Sequence, residues 1–219
     1  MNTAKANKNI LIDMFDRLYS FYGPQDWWPA ETPFEVIVGA ILTQNTAWAN
    51  VEKAIMNLKK ADLLSPRALK AASQKTIARL IKPAGYYNVK SKRLKNFVNF
   101  LFLKYRGSLS KLSSLKTWEL RKELLSVNGI GPETCDSVLL YALEKPAFVI
   151  DAYTKRIFSR HGFFEEDAGY EEVRNFFMEQ LPLNKDLYNE YHALIVRLGK
   201  EHCRKIPKCK DCPIIYLKK

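Results

Sequence analysis

The sequence predicts an all-α fold, and three observations carry that expectation. Apolar residues recur at helical spacing in one segment after another. No stretch of useful length alternates with the period of a strand. Residues 124–156, LLSVNGIGPETCDSVLLYALEKPAFVIDAYTKR, then place a glycine-rich turn between two helices and an aspartate at the head of a third.

Taken in order, residues 9–22 put Ile10, Leu11, Met14, Leu18 and Phe21 on one helical face, and Gly23-Pro24 stops the helix. Trp27 and Trp28 follow in a linker; adjacent rings cannot both face one core from a helix, so either one ring anchors the linker or the pair forms an aromatic wall. Thr32 and Glu35 have capping-box spacing, and residues 34–42 are apolar nearly all round, which places that helix at the centre of a bundle. It ends at Thr43-Gln44-Asn45-Thr46, where Thr46 can cap the next helix, which carries Trp48, Val51, Ile55 and Leu58. Ser65-Pro66 starts one short helix, and residues 76–82 form another before Pro83-Ala84-Gly85 breaks it. Tyr86-Tyr87-Asn88 come next.

A long helix over 90–105 carries Leu94, Phe97, Val98, Leu101, Phe102 and Tyr105 on its apolar side. Lys90, Lys92, Arg93 and Lys95 crowd its start; they form a solvated face or, because cations there oppose the helix dipole, await an external anion. Thr117 caps the next helix, which ends near Ser126. After Asn128-Gly129-Ile130-Gly131-Pro132 the second hairpin helix runs to about Leu143. Glycines allow close approach, Pro132 suits the first helical position, and the free N–H groups beyond them suit a phosphate. The apolar run 147–150 reads as buried chain. Asp151 opens a helix over 152–160 ended by Gly162, and helices over 170–181 and 185–202, separated by Pro182, complete the chain.

Composition narrows the function. The 219 residues carry a formal net charge of +12, so a polyanionic partner is expected. Eleven tyrosines, twelve phenylalanines and four tryptophans add faces on which bases stack, making nucleic acid the first candidate. A membrane is the rival, but no apolar stretch approaches the roughly 20 residues that span a bilayer. The opening MNTAKANKNILIDMF lacks the apolar core and cleavage site of a leader, so a cytoplasmic protein is expected. Of four cysteines, Cys203, Cys209 and Cys212 cluster near the end, while Cys135 reads as a small buried thiol.

The ordered set Leu42-Thr43-Gln44-Asn45-Thr46, Gly85-Tyr86-Tyr87-Asn88, Gly129-Ile130-Gly131, Asp151 and the cysteine cluster resembles the helix-hairpin-helix DNA glycosylase superfamily. The likeness runs from about Phe34 to the C-terminus and is strongest to the endonuclease III-like branch, most of all to its monofunctional 3-methyladenine DNA glycosylases. It implies two helical domains: a six-helix bundle with the hairpin over residues 30–142, and a second domain from residues 1–29 and 143–219, with the active-site cleft between them. It also implies a monomer acting on damaged double-stranded DNA. Gly129, Ile130 and Gly131 would grip the backbone, Gln44 would enter the duplex where a base has left, and Tyr86 would occupy the wedge position, where an aliphatic residue is expected. Local accounts stand beside these roles: a polar loop for Gln44 and a packed turn aromatic for Tyr86.

Asp151 has two compatible readings, an N-cap worth about 1 kcal/mol and the carboxylate that stabilises a cationic sugar while orienting or deprotonating water. Strand-nicking relatives have a lysine where this chain has Glu133, so Glu133 points to hydrolysis without a lyase step; as a first-turn acid it also suits the helix dipole. Trp27, Trp28 and Trp48 are the rings available to attract a cationic alkylated purine, with Glu133 grouped at the same pocket. Relatives often hold a [4Fe–4S] cluster on four cysteines. Here Cys203-x5-Cys209-x2-Cys212 has one short spacing, and Lys218 stands where the fourth would fall, so no cluster and no other metal or cofactor is expected. The loop keeps its shape by packing and polar contacts, and Arg204, Lys205, Lys208 and Lys210 offer phosphate contacts. His161 and His192 read as surface or packing residues. Rival functions are excision of mismatched or oxidised bases, a non-catalytic damage-sensing module in which Asp151 only caps, and a metal-dependent protein built on the cysteines.

Overall fold

The computed structural model describes residues 3–217, with side chains from 8 to 216; Met1, Asn2, Lys218 and Lys219 lie outside the described residues. Its helices are, in order, α1 (Thr3–Tyr22), α2 (Pro33–Leu42), α3 (Trp48–Lys60), α4 (Pro66–Ala71), α5 (Gln74–Leu80), α6 (Tyr87–Tyr105), α7 (Leu109–Ser113), α8 (Thr117–Leu125), α9 (Pro132–Ser137), α10 (Ala152–Arg160), α11 (Tyr170–Gln180) and α12 (Lys185–Glu201). A π-helical segment, Val138–Ala142, continues α9, and no strand occurs among the described residues. The chain forms two compact units, Trp28–Lys145 and the joined ends Met1–Trp27 with Pro146–Lys219.

In the first of these units α2 is the hub. Every α2 residue after Pro33 is buried, as expected for a helix apolar on all sides. Thr32 accepts from the Glu35 N–H at 3.2 Å, but the Glu35 carboxylate reaches Glu31 N and the Lys59 ammonium, so only half of the expected box forms. α3 begins at an Ala47 cap with no side-chain bond. Thr46, expected to cap it, instead donates to the Ala84 carbonyl at 2.6 Å, a contact that spacing along the chain cannot show. Helix α6 starts three residues earlier than its apolar pattern, and α7, capped by Ser108, is too short to leave a periodic signal. Lys116, one residue before Thr117, is the N-cap position of α8, where Glu119 accepts from its backbone N–H.

The two hairpin helices are tied by a bidentate pair: Arg121 Nε and Nη2 donate to Asp136 at 2.8 and 3.2 Å, and Asp136 is fully buried. The widened turns after Ser137 carry Val138, Leu139 and Leu140 into the bundle core.

In the other unit Leu11, Met14 and Leu18 of α1 are buried, whereas Phe21 ends 54% exposed against His202. The run 147–150 is buried chain without regular secondary structure, with Phe148 stacked on Phe177 at 4.2 Å. The Tyr191 hydroxyl of α12 donates to the Leu11 carbonyl at 2.9 Å, fixing α1 against α12. The α10 and α12 pair sets the surroundings of Asp151.

Candidate active site

Asp151 is the N-cap of α10, and its two oxygens do different things. Oδ1 accepts from the Thr154 N–H at 2.7 Å and from the Thr154 hydroxyl at 2.9 Å. Oδ2 takes no hydrogen bond from the described protein and lies 3.8 Å from His192 Nε2, a distance beyond a hydrogen bond. The side chain is only 15% exposed. The cap thus uses one oxygen of the carboxylate and leaves the other outside it. Burial holds the His192 imidazole below its ordinary range, while the Asp151 charge pulls the other way. A charge on His192 is therefore disfavoured near neutral pH. From sequence, His192 reads as a surface or packing residue; the structure buries it beside Asp151, and Thr154 gave no signal beyond its place in the first turn.

The hairpin, in the other unit, is built differently. Gly129 sits at φ +98°, and a Cβ there would lie 2.3 Å from Arg93 Cγ, so conformation and space both require glycine. Ile130 is buried beneath the turn. Gly131 has an ordinary extended backbone (φ −88°, ψ 176°) with nothing within 4 Å of a would-be Cβ. Its bareness serves no internal contact. As N-cap of α9 it supplies no side-chain acceptor, so the first N–H groups of that helix lack the side-chain cap that Asp151 gives α10.

Gln44 is fastened to this hairpin. Its Nε2 donates to the Gly129 carbonyl at 3.0 Å and to Thr134 Oγ1 at 2.8 Å, and its Oε1 accepts from Arg93 Nη1. Tyr86 stands 71% exposed at φ +44°, a left-handed conformation unusual for a residue with a side chain.

The basic cluster at the start of α6 is not the free anion site or solvated face its sequence suggests. Lys90 is buried and donates to the Leu42 carbonyl, the Ala84 carbonyl and Thr46 Oγ1 at 2.9, 2.8 and 2.6 Å. Burial, with the nearby Arg93 charge, pushes its ammonium down to about 8. Lys95 turns back onto the Lys70 and Ala72 carbonyls that end α4. Lys92 alone of the four is exposed.

The tryptophans separate. Trp28 packs against Gly39, edge-on to Trp48 at 5.0 Å and tilted to Tyr141 at 5.2 Å. Tyr141, hidden in an apolar helical run, was not legible as part of this wall. Trp48 Nε1 donates to Glu52 at 2.7 Å. Trp27 belongs to the other unit, where the Lys200 ammonium lies 5.7 Å from its ring. Glu133 is exposed in the first turn of α9.

The C-terminal loop is strapped to α10. Arg160 donates to the Arg204 and Lys205 carbonyls at 2.6 and 2.9 Å and to Cys203 Sγ at 3.4 Å; Arg156 donates to the Cys203 carbonyl at 2.7 Å. Cys203, Cys209, Cys212, His161 and His202 line a cavity of about 270 Å³. These cysteines form no disulfide, and among the described residues no three His, Cys, Asp or Glu side chains converge as metal ligands. Burial raises the Cys212 thiol. This donor set does not fit four-thiolate ligation.

Comparison with known proteins gives the class. The family model of HhH-GPD superfamily base excision DNA repair proteins matches residues 38–183, and the chain belongs to that superfamily, in its endonuclease III-like branch. It is a DNA glycosylase of base excision repair. Among its relatives, a Methanocaldococcus jannaschii protein provisionally assigned as a DNA repair glycosylase is 50% identical over 212 residues, 96% of each chain. The Helicobacter pylori 3-methyladenine DNA glycosylase bound to 1,N6-ethenoadenine superposes with a TM-score of 0.76 at 28% identity, covering 89% of this chain and 97% of that one. A trapped covalent intermediate of endonuclease III with DNA gives 0.83 at 24% identity, covering 99% and 96%, and shows the shared fold. No helix among the described residues is long and apolar enough to cross a membrane.

Proposed function

We propose that this glycosylase hydrolyses alkylated purines of the 3-methyladenine type from duplex DNA, acting as a monomer and leaving an abasic site without cutting the strand. The observation that carries the reading is the Asp151 carboxylate, anchored through Oδ1 with Oδ2 uncommitted, together with a glutamate, not an amine, at Glu133. As the bond from C1′ to the base nitrogen breaks, the base leaves with the electron pair and the sugar becomes cationic. Oδ2 stabilises that charge; water then adds its oxygen to C1′ and gives up its proton, with Asp151 or solvent as acceptor. A carboxylate at Glu133 cannot form the Schiff base that a lysine would.

A cationic methylated purine is already a good leaving group, so selection matters more than activation. The Trp28, Trp48 and Tyr141 rings supply electron-rich faces that attract such a cation by about 0.5–2 kcal/mol. Likeness to the H. pylori enzyme at 28% identity supports the same substrate class. Trp27 contributes less, since Lys200 already lies near its ring. The same reading keeps the cysteine loop free of a cluster, held by Arg156 and Arg160.

The test is excision from duplexes containing 3-methyladenine (or a stable analogue), uracil, thymine opposite guanine, or an oxidised pyrimidine, run with and without alkali. Release of the alkylated purine, with breaks only after alkali, is expected. Breaks without alkali would contradict the role given to Glu133, release of another base would replace the substrate, and binding without release would leave a damage sensor.

A further inference from the structure

Two residues one turn apart on α6 connect three segments that are distant in sequence. Lys90 donates through its side chain to Leu42 at the end of α2, to Thr46 in the loop that follows, and to Ala84 just before Gly85-Tyr86; its backbone N–H donates to the Tyr86 carbonyl at 2.9 Å. Thr46 Oγ1 both accepts from Lys90 and donates to Ala84. Arg93 then holds Gln44 Oε1 and packs against Gly129, while Gln44 Nε2 holds the hairpin.

A lysine 1% exposed, with no carboxylate partner among the described residues, is an expensive way to fill a core. All three of its acceptors are uncharged oxygens, two of them backbone carbonyls beside the candidate DNA-contacting residues. The three hydrogens of an ammonium on a long stem serve all three together.

We propose that Lys90 is a positioning residue: its ammonium clamps the Gln44 loop to the Tyr86 turn, so that both residues meet an opened duplex already in register, with Arg93 extending the clamp to the hairpin. The inference rests on the reading of Gln44 and Tyr86 as the residues that enter the duplex. Loosening the clamp adds conformations that cannot insert, and apparent affinity falls with the competent fraction.

The clamp also has a pH signature. Since Lys90 is pushed down to about 8, raising the pH through that value removes the third hydrogen and weakens the clamp. Stability moves the other way: the folded value lies below the unfolded 10.5, so this residue adds stability as pH rises between the two. Arg93 is the charged group acting on Lys90; the groups bonded to it from α2, the following loop and the turn before Gly85 are neutral.

The test uses the full chain and a duplex with a tetrahydrofuran abasic analogue opposite 2-aminopurine, whose fluorescence rises when the orphaned base is unstacked, beside an undamaged duplex. Wild type should brighten on binding. Lys90→Met should lose most of that signal and about tenfold in preference for the abasic duplex, with affinity for undamaged DNA nearly unchanged. Thr46→Val, which removes the bridging hydroxyl with little change of shape, should shift in the same direction and decides the matter if Lys90→Met does not fold. Wild-type preference should fall between about pH 7 and pH 9 as thermal stability holds or rises. A folded Lys90→Met or Thr46→Val that brightens like wild type would overturn the clamp. No brightening by wild type would instead overturn the reading of Gln44 and Tyr86 on which it stands.

Discussion

Helices α9 and α10 begin twenty residues apart and are finished in opposite ways. Asp151 caps α10 with its own Oδ1 and keeps Oδ2 in reserve; Gly131 gives α9 no side-chain cap and leaves open space where a side chain would stand. A cap stabilises its helix by about 1 kcal/mol, so withholding one is a measurable concession. The difference teaches that the two helix starts are finished by different means: α10 is capped by its own aspartate, whereas α9 has no side-chain cap, which on the proposed function suits an outside acceptor such as a DNA phosphate.

The largest expected effect comes from Asp151→Asn. Asparagine caps as well as aspartate but carries no charge, so single-turnover excision should fall by about 10² or more while the melting temperature stays close to wild type. Equal losses in both would mean the carboxylate is only a cap. Next in size is Gly129→Ala, which meets both a positive φ and Arg93; a loss of about 1–3 kcal/mol in denaturant unfolding is expected. Gly131→Ser reverses the concession: it should add about 1 kcal/mol through a new cap while weakening duplex binding several-fold, most visibly at low salt. If it leaves DNA affinity untouched, the α9 terminus is not a phosphate seat.

The smallest effect is a pH slope. His192 has a folded value below the ordinary 6.5, so the unfolded chain binds the extra proton first and stability should fall as pH drops below about 6.5. His192→Gln should flatten that part of the stability curve in acid melts. An unchanged slope would place the acid sensitivity elsewhere.

Local chemistry made much of this legible in the sequence. The α10 cap, the Pro132 start of α9 and the buried hub α2 each depend on residues within a few positions, and periodicity reports them. Depth does not show in a charge pattern, which is why Lys90 and Lys95 read as a surface cluster although both serve backbone carbonyls. Gln44 shows its hairpin partners only in three dimensions, 85 and 90 residues away. Tyr141 gave no signal because it lies in an apolar helical run where packing is the ordinary explanation, and the surface-or-packing reading of His192 could not show that it lies beside Asp151. Trp27 and Trp28, neighbours in sequence, fall in different units because the division of the chain passes between them.

The most direct measurement separates the two helix starts in one experiment: single-turnover excision of the alkylated purine as a function of enzyme concentration, for wild type, Asp151→Asn and Gly131→Ser. Asp151→Asn should lower the maximal rate at an unchanged half-saturating concentration, and Gly131→Ser should raise that concentration while leaving the maximal rate near wild type. The account is contradicted if both variants shift the same parameter, or if Asp151→Asn excises at the wild-type rate.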